Sequence, residues 1–319
     1  MPLPSVYVDK LSRSLTRLGL GSLPMGPLQR GLTPVEGARV VRAALDHGIT
    51  FIDTATVYGT YEHVAVGLEG WAGEVTVSTK THARSDRALA EEHIEKALRE
   101  LRREPIDIML CHCGRSVYSD AEWGPTLAAL LLARDKGLVR MVGLSSHSVE
   151  GVRVAASMPE IEVIHPLINL IGMGITDGTA DQMLAAIDGA HAAGKLIYAM
   201  KALAGGNLVP RRGEALRFAF DNPSIDAVAV GMVKPEEVEW NVRFASGEEI
   251  DPGLEQRTAM SSKRLSIVGI ICKGCAECVE HCENMALSVV EGKAVVDHDR
   301  CILCGYCAPY CPMLAIRMV

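Results

Sequence analysis

Long apolar runs are missing from this chain of 319 residues. The longest, Leu127 to Ala133, falls far short of the roughly 20 residues that cross a bilayer, so no membrane span is expected. Met1 to Ser14 has no apolar h-region, which argues against a secretory signal. Sustained Lys/Arg clusters are missing too, and the formal net charge is -7, so neither nucleic acid nor an anionic membrane is an expected partner. The pairs Arg102-Arg103 and Arg211-Arg212 read as solvated helix ends. Cysteine is scarce for most of the length: the first 250 residues hold only Cys111 and Cys113, which excludes a secreted disulfide scaffold. What remains is the composition of a globular protein with ample core, 48% hydrophobic and 22% charged. The length suits one large domain plus a small one.

From about Leu15 to Ala245, short β-branched or apolar runs alternate with segments of helical spacing. Strands are expected at 15–20, 49–53, 75–80, 106–112, 139–145, 161–167, 195–200 and 227–230. Helices are expected at 33–47, 86–103, 123–136, 149–157, 181–193, 213–221 and 235–244. The first opens on Thr33-Pro-Val-Glu36, a capping box with Pro at the first helical position, and stops at Gly48. Eight strands alternating with helices imply a parallel sheet, either doubly wound or closed into a (β/α)8 TIM barrel. The dinucleotide fingerprint is incomplete, because Gly19 to Gly26 lacks the third glycine at its spacing and leads into no immediate helix. The count of eight favours the barrel, whose usual size is about 250 residues. The fold class is therefore α/β, with a barrel over 1–245, a partly helical connector over 246–265, and a small α+β C-terminal domain over 266–319.

Eight of the ten cysteines lie in that last domain. Cys272-x2-Cys275-x2-Cys278-x3-Cys282 is repeated, 18 residues on, as Cys301-x2-Cys304-x2-Cys307-x3-Cys311-Pro312. Three thiolates two residues apart wrap a tight turn around one cubane, while the fourth points toward a second. Zinc sites use spaced pairs instead. The domain resembles a bacterial-type ferredoxin with two [4Fe-4S] clusters. The resemblance implies crossed ligation, one cluster on Cys272, Cys275, Cys278 and Cys311, the other on Cys301, Cys304, Cys307 and Cys282. Glu283 stands where the first repeat would have Pro, placing a charge beside the second cluster.

In the barrel, strand ends carry Asp53 with Tyr58, then Lys80, then His112. Polar residues at the C-terminal ends of neighbouring strands converge on the face where such barrels keep active sites. Singly, each has a bland reading as a turn cap or a satisfied polar group. Together, with Arg17 to Gly26, Val142-Gly-Leu-Ser-Ser146 and Ala202-Leu-Ala-Gly-Gly206, they resemble the aldo/keto reductases over residues 13–245. The resemblance implies a catalytic tetrad of Asp53, Tyr58, Lys80 and His112. Tyr58 would donate a proton to a carbonyl, Lys80, held by Asp53, would lower its pKa, and His112 would orient the carbonyl oxygen.

The family's nicotinamide grip is eroded. Its amide-binding Asn and Gln fall on Ser146, beside Ser145, and on His165; its stacking aromatic falls on Met200. Of the eighth-loop positions Gly231, Met232, Glu237 and Asn241, only Asn241 matches, and Glu237 would repel a 2′-phosphate. That argues against NADP and leaves NAD or a flavin, with Gly205 and Gly206 cradling a flavin phosphate. A flavin would also convert hydride chemistry into the single electrons that clusters accept. Cys111 and Cys113 are expected to face away from His112 as small hydrophobes; His82 and His147 read as loop residues near the mouth. The leading expectation is a cytoplasmic iron-sulfur oxidoreductase acting on a small carbonyl or alcohol, with a redox protein as possible partner. The alternatives are an electron-relay or regulatory protein with an inactive barrel, and clusters that serve only as structural staples.

Overall fold

The computed structural model describes residues 2–259 and 264–318. A hairpin of β1 (Ser5–Val8) and β2 (Arg13–Thr16) precedes eight parallel strands. These are β3 (Leu18–Gly21), β4 (Phe51–Asp53), β5 (Thr76–Thr81), β6 (Ile106–Gly114), β7 (Val139–Ser146), β8 (Val163–Pro166), β9 (Leu196–Ala199) and β10 (Ala227–Gly231). They close into a barrel in chain order, with β10 pairing both β9 and β3. Between and after them run α1 (Pro34–Asp46), α2 (Tyr61–Leu68), α3 (Arg87–Leu101), α4 (Asp120–Asp135), α5 (Val149–Ser157), α6 (Ala180–Ala192), α7 (Arg212–Phe220) and α8 (Pro235–Ala245). The Thr33–Glu36 capping box forms in both directions at the start of α1. Helix α2 escapes the sequence pattern because it is only eight residues long and has no side-chain cap. No helix among the described residues is long and apolar enough to cross a membrane.

Barrel strands are buried on both faces, so a polar strand persists only if each group finds a partner. Strand β5 illustrates this beyond Thr76, whose Oγ1 is buried without a partner, because every residue of Thr76–Thr81 is buried. Ser78 Oγ meets Tyr198 Oη at 2.7 Å, Thr79 Oγ1 meets Tyr61 Oη at 2.7 Å, and Thr81 Oγ1 meets His93 Nδ1 at 2.7 Å. Lys80 is left to the barrel mouth. The opposite end is apolar: Leu15, Phe51, Ile108, Leu110, Met141 and Tyr198 cluster there, and the β1–β2 hairpin closes it with Val8 and Leu11.

Helix α9 (Pro252–Arg257) lies in the expected connector and packs back on the barrel. Leu254 joins the main core, and Trp240 Nε1 donates to Glu255 Oε2 at 2.6 Å. Arg212 is no solvated helix end: its guanidinium stacks 3.9 Å over Trp240, pairs with Glu255 at 2.6 Å and donates to the Thr258 carbonyl at 3.0 Å. Arg103 likewise binds Asp107 at 3.1 Å and the Val75 carbonyl at 2.8 Å. Residues 260–263 of the connector lie outside the described residues.

The C-terminal unit comprises β11 (Leu265–Ile267), α10 (Glu277–Glu280), β12 (Leu287–Val290), β13 (Lys293–Val296) and β14 (Ile316–Met318). Strands β11 and β14 pair antiparallel, as do β12 and β13. Its core is built partly from cysteines, with Cys272, Cys278, Cys301 and Cys307 buried among Leu287, Leu303 and Ile316.

Candidate active site and cysteine cavities

The side chains singled out in the barrel converge at its mouth. Lys80 Nζ lies 2.6 and 2.7 Å from the two Asp53 oxygens, 2.8 Å from the Thr54 carbonyl and 3.4 Å from Tyr58 Oη. Its ammonium also sits 4.9 Å from the Tyr58 ring centroid. The His112 ring meets Tyr58 edge-on at 6.1 Å. Burial pushes Asp53 up and Lys80 down, and the contact between them pulls each back toward its charged form. His112 is driven well below the ordinary histidine range by burial, then by Lys80, which leaves a neutral imidazole. One expectation is reversed: burial, then the Asp53 charge, hold the Tyr58 phenol well above its ordinary range. Lys80 does not lower it because Asp53 already answers the lysine charge. The phenol is thereby kept protonated, the form a proton donor needs.

Sequence reasoning missed Tyr198, which β9 aims into the barrel. Its hydroxyl donates to Asp53 Oδ1 at 3.0 Å, and its ring stacks on His165 at 3.9 Å and on Phe51 edge-on at 5.0 Å. A signal existed, since Tyr198 is two residues before Met200 and so shares its inward face. His147 lies in the loop between β7 and α5 as expected but is buried, and burial, then Lys201, takes it down to about 3. His82 is exposed as expected. Cys111 and Cys113 are buried small hydrophobes, also as expected.

A cleft of about 880 Å³, open solvent included, runs from the tetrad across the ends of β3, β9 and β10. Asp53, Tyr58, His165, Met200, Gly205 and Gly206 line it. Three of the expected cofactor residues do not. Ser146 is turned into the start of α5, where its Oγ accepts from Ser148 N at 3.0 Å and donates to Ser148 O at 3.2 Å. Ser145 Oγ is buried without a partner. Asn241 lies in a smaller neighbouring cavity and donates to the Glu237 carbonyl at 2.7 Å. The Glu237 carboxylate itself lines the cleft and accepts from Val233 N at 2.7 Å.

The cysteines surround two cavities of about 340 Å³ each, open solvent included. Cys272, Cys275, Cys278 and Cys311 line one; Cys282, Cys301, Cys304 and Cys307 line the other. Backbone amides donate to sulfur in both sets: Ala294 N to Cys272 at 3.3 Å, Ala315 N to Cys311 at 3.2 Å and Ala286 N to Cys282 at 3.2 Å. No three His, Cys, Asp or Glu side chains among the described residues are grouped to hold a single metal ion.

The second set sits on the barrel mouth. Ile302 packs with Leu167 and Met200, a burial that contributes about 2 kcal/mol. Asn207 Nδ2 donates to the Cys301 carbonyl at 3.1 Å. A Cβ on Gly205 would lie 1.8 Å from the Ile302 carbonyl oxygen, so the glycine there admits the cysteine loop. Tyr306, between Cys304 and Cys307, packs with Leu23, Ala55 and Tyr58. Its ring meets His112 edge-on at 6.3 Å. Glu283 also turns toward the barrel, its carboxylate packed on Gly114 at the end of β6 with Oε2 unpartnered.

The aldo/keto reductase family model matches residues 17–214, more than half of the chain. The chain belongs to the aldo/keto reductase family. A 4Fe-4S binding domain matches residues 294–317. An aldo-keto reductase of Bacillus subtilis, YhdN, is 29% identical over 170 residues, covering 49% of this chain and 50% of the relative. One of Mycobacterium marinum is 32% identical over 154 residues, covering 44% and 52%. The chain thus spans about half the length of these curated family members. Over the cysteine domain, a component of an ion-translocating oxidoreductase complex from Methanosarcina acetivorans is 38% identical across 47 residues, 15% of this chain and 18% of that protein. Solved family members share the fold. The Bacillus halodurans aldo-keto reductase AKR11C1 superposes with TM-score 0.64 at 17% identity, covering 82% of this chain and 97% of that one. A Bombyx mori member in complex with NADP gives TM-score 0.60 at 16% identity, covering 80% and 92%.

Proposed function

We propose that this chain is an iron-sulfur oxidoreductase that couples reduction or oxidation of a small carbonyl or alcohol to electron transfer through two [4Fe-4S] clusters. The observation that carries this reading is the seating of one cysteine set on the barrel mouth, with Tyr306 of its loop packed against Tyr58. The division of labour is a barrel over 1–245, a connector over 246–265 and a cluster domain over 266–319. The donor set fits the clusters: two groups of four cysteines surround two cavities in the crossed pattern, with amide donors on three sulfurs. Each group joins three thiolates of one repeat to the fourth of the other, which suits a cubane better than the spaced pairs of tetrahedral zinc.

The cleft fits a planar redox cofactor in size and apolar lining, and Glu237 on its wall disfavours a 2′-phosphate, so NAD or a flavin is the reading. Such a cofactor supplies hydride, and a flavin also exchanges single electrons with clusters. Reducing one carbonyl to an alcohol takes two electrons and two protons. Tyr58 donates a proton to the carbonyl oxygen. Lys80 and Asp53 fix the Tyr58 hydroxyl, and Tyr198 fixes Asp53. Neutral His112 orients the oxygen. Oxygen-labile clusters support a cytoplasmic setting, and exposed Cys275 on the outer set suits delivery by a redox protein.

A second reading, an electron-relay or regulatory protein, draws on one observation. The Tyr306 ring packs against Tyr58 and meets His112 edge-on at 6.3 Å, the two groups a carbonyl oxygen must reach. The test is anaerobic reconstitution with iron and sulfide, a spectrum, then denaturation and identification of what is released. Two clusters and a flavin support internal wiring; two clusters bleached by NADH without flavin support NAD and an external flavin partner. Silence in both supports the relay.

A further inference from the structure

The turn after β9 runs along the inner cysteine loop for its whole length. Met200 packs on Ile302 in a group that includes Cys304, Gly205 touches the Ile302 carbonyl, and Asn207 donates to the Cys301 carbonyl at 3.1 Å. Lys201 lies inside this stretch, lining the cleft beside Asp53 and Tyr58. Its backbone is left-handed, with φ 63°, an unfavourable state for a side chain with a Cβ that persists where surroundings impose it. Among the described residues its ammonium has no hydrogen bond or ion pair. The acidic groups that bear on it are the Cys304 and Cys301 thiols, Glu283 and Asp53, and Asp53 is already bound by Lys80.

A cation without a partner, held against the ligand loop of one cluster, has a direct electrostatic consequence. A cubane with four thiolates carries about two negative charges when oxidised and three when reduced. A fixed positive charge nearby stabilises the reduced form more than the oxidised form, and a low-dielectric setting strengthens the effect. The outer set has its own lysines, Lys273 lining its cavity and Lys293 donating to the Cys272 carbonyl at 2.6 Å, but Lys201 lies on the barrel side, along the loop of the inner set.

We propose that Lys201 is a positioning residue for the electron, raising the reduction potential of the barrel-side cluster alone and so drawing charge from the exposed cluster to the tetrad. This rests on the two-cluster reading above. The experiment is an anaerobic redox titration of the holoprotein followed by EPR, on the wild type, Lys201→Met, Lys201→Gln and Lys201→Arg. Removing the charge, as Met or Gln, should move one of the two cluster transitions to more negative potential and leave the other in place, and Arg should restore it. The Gln variant keeps a polar side chain in case Met disturbs the turn. Two clusters whose potentials stay fixed in Met and Gln, or move together, overturn the role of Lys201. A wild-type protein that binds fewer than two clusters overturns the proposed function, and this inference with it.

Discussion

Gly205→Ala is the sharpest probe of the contact between barrel and cluster domain. The added Cβ would sit 1.8 Å from the Ile302 carbonyl oxygen and 2.7 Å from its carbon, against ordinary contact at 3.4 Å or more. The obstacle is backbone, which cannot swing aside. Alanine at φ 70° adds strain of about 1–2 kcal/mol. The loop must retreat, which stretches the bonds from Asn207 to the Cys301 carbonyl (3.1 Å) and from Gln29 to the Leu303 carbonyl (3.3 Å). Each contributes about 1 kcal/mol, for a total near 3 kcal/mol and a roughly hundredfold loss of the docked population. Hydrogen–deuterium exchange should rise over residues 200–207 and 301–307 and stay unchanged at the hairpin end of the barrel. Electron transfer between clusters and barrel should fall with it. Unchanged exchange at both segments would refute the reasoning, since the overlap leaves no silent accommodation.

Tyr58→Phe removes the proposed proton donor and should lower carbonyl reduction by about 10²–10⁴-fold with little change in thermal unfolding; full activity would remove Tyr58 from the mechanism. Lys80→Met leaves the Asp53 carboxylate buried without its cation and should destabilise the fold by about 3–5 kcal/mol in urea unfolding, part of which Asp53→Asn in the same chain should restore. A loss below about 1 kcal/mol would mean the pair is not held as seen. Burial takes His93 down to about 4 and His147 to about 3, below the ordinary 6.5 that the unfolded chain retains. Between 6.5 and about 4 the unfolded chain therefore binds more protons, so stability should be full above pH 6.5 and fall as pH drops through that window. His93→Gln should flatten the slope in unfolding measured at pH 5 and pH 7.

The barrel was legible because its signals are local. Each expected strand appears within a few residues of its place, and helix 149–157 matches α5 at both ends. The two cysteine runs were equally plain, and the resemblance to two-cluster ferredoxins supplied the crossed sets that now line the two cavities. The hairpin at the barrel's closed end was missed because β1 and β2 contribute only a few apolar positions, Val8, Leu11 and Leu15 among them, too few for a period to register. Ser146 was expected in the cleft by alignment to a longer amide side chain; a serine reaches only its own turn at Ser148. Glu283 was read as a charge beside a cluster, and that was half of it. Which surface it faces depends on how the two units dock, and docking is set by Gly205, Ile302 and Tyr306, residues far apart in the chain. Tyr306 was invisible for the same reason: nothing in Cys304-x2-Cys307 says that the intervening ring will meet Tyr58.

The proposed function requires electrons to pass between the clusters and the tetrad inside one chain. The direct measurement is anaerobic mixing of fully reduced holoprotein, freed of excess reductant, with butanal as the probe carbonyl, following cluster absorbance and butanol together. Beyond the one butanol that a reduced flavin would supply by itself, one butanol should appear for every two clusters oxidised, and Tyr58→Phe should halt both. Clusters that remain reduced while more than one butanol per chain forms, or that reoxidise equally fast in Tyr58→Phe, would contradict it.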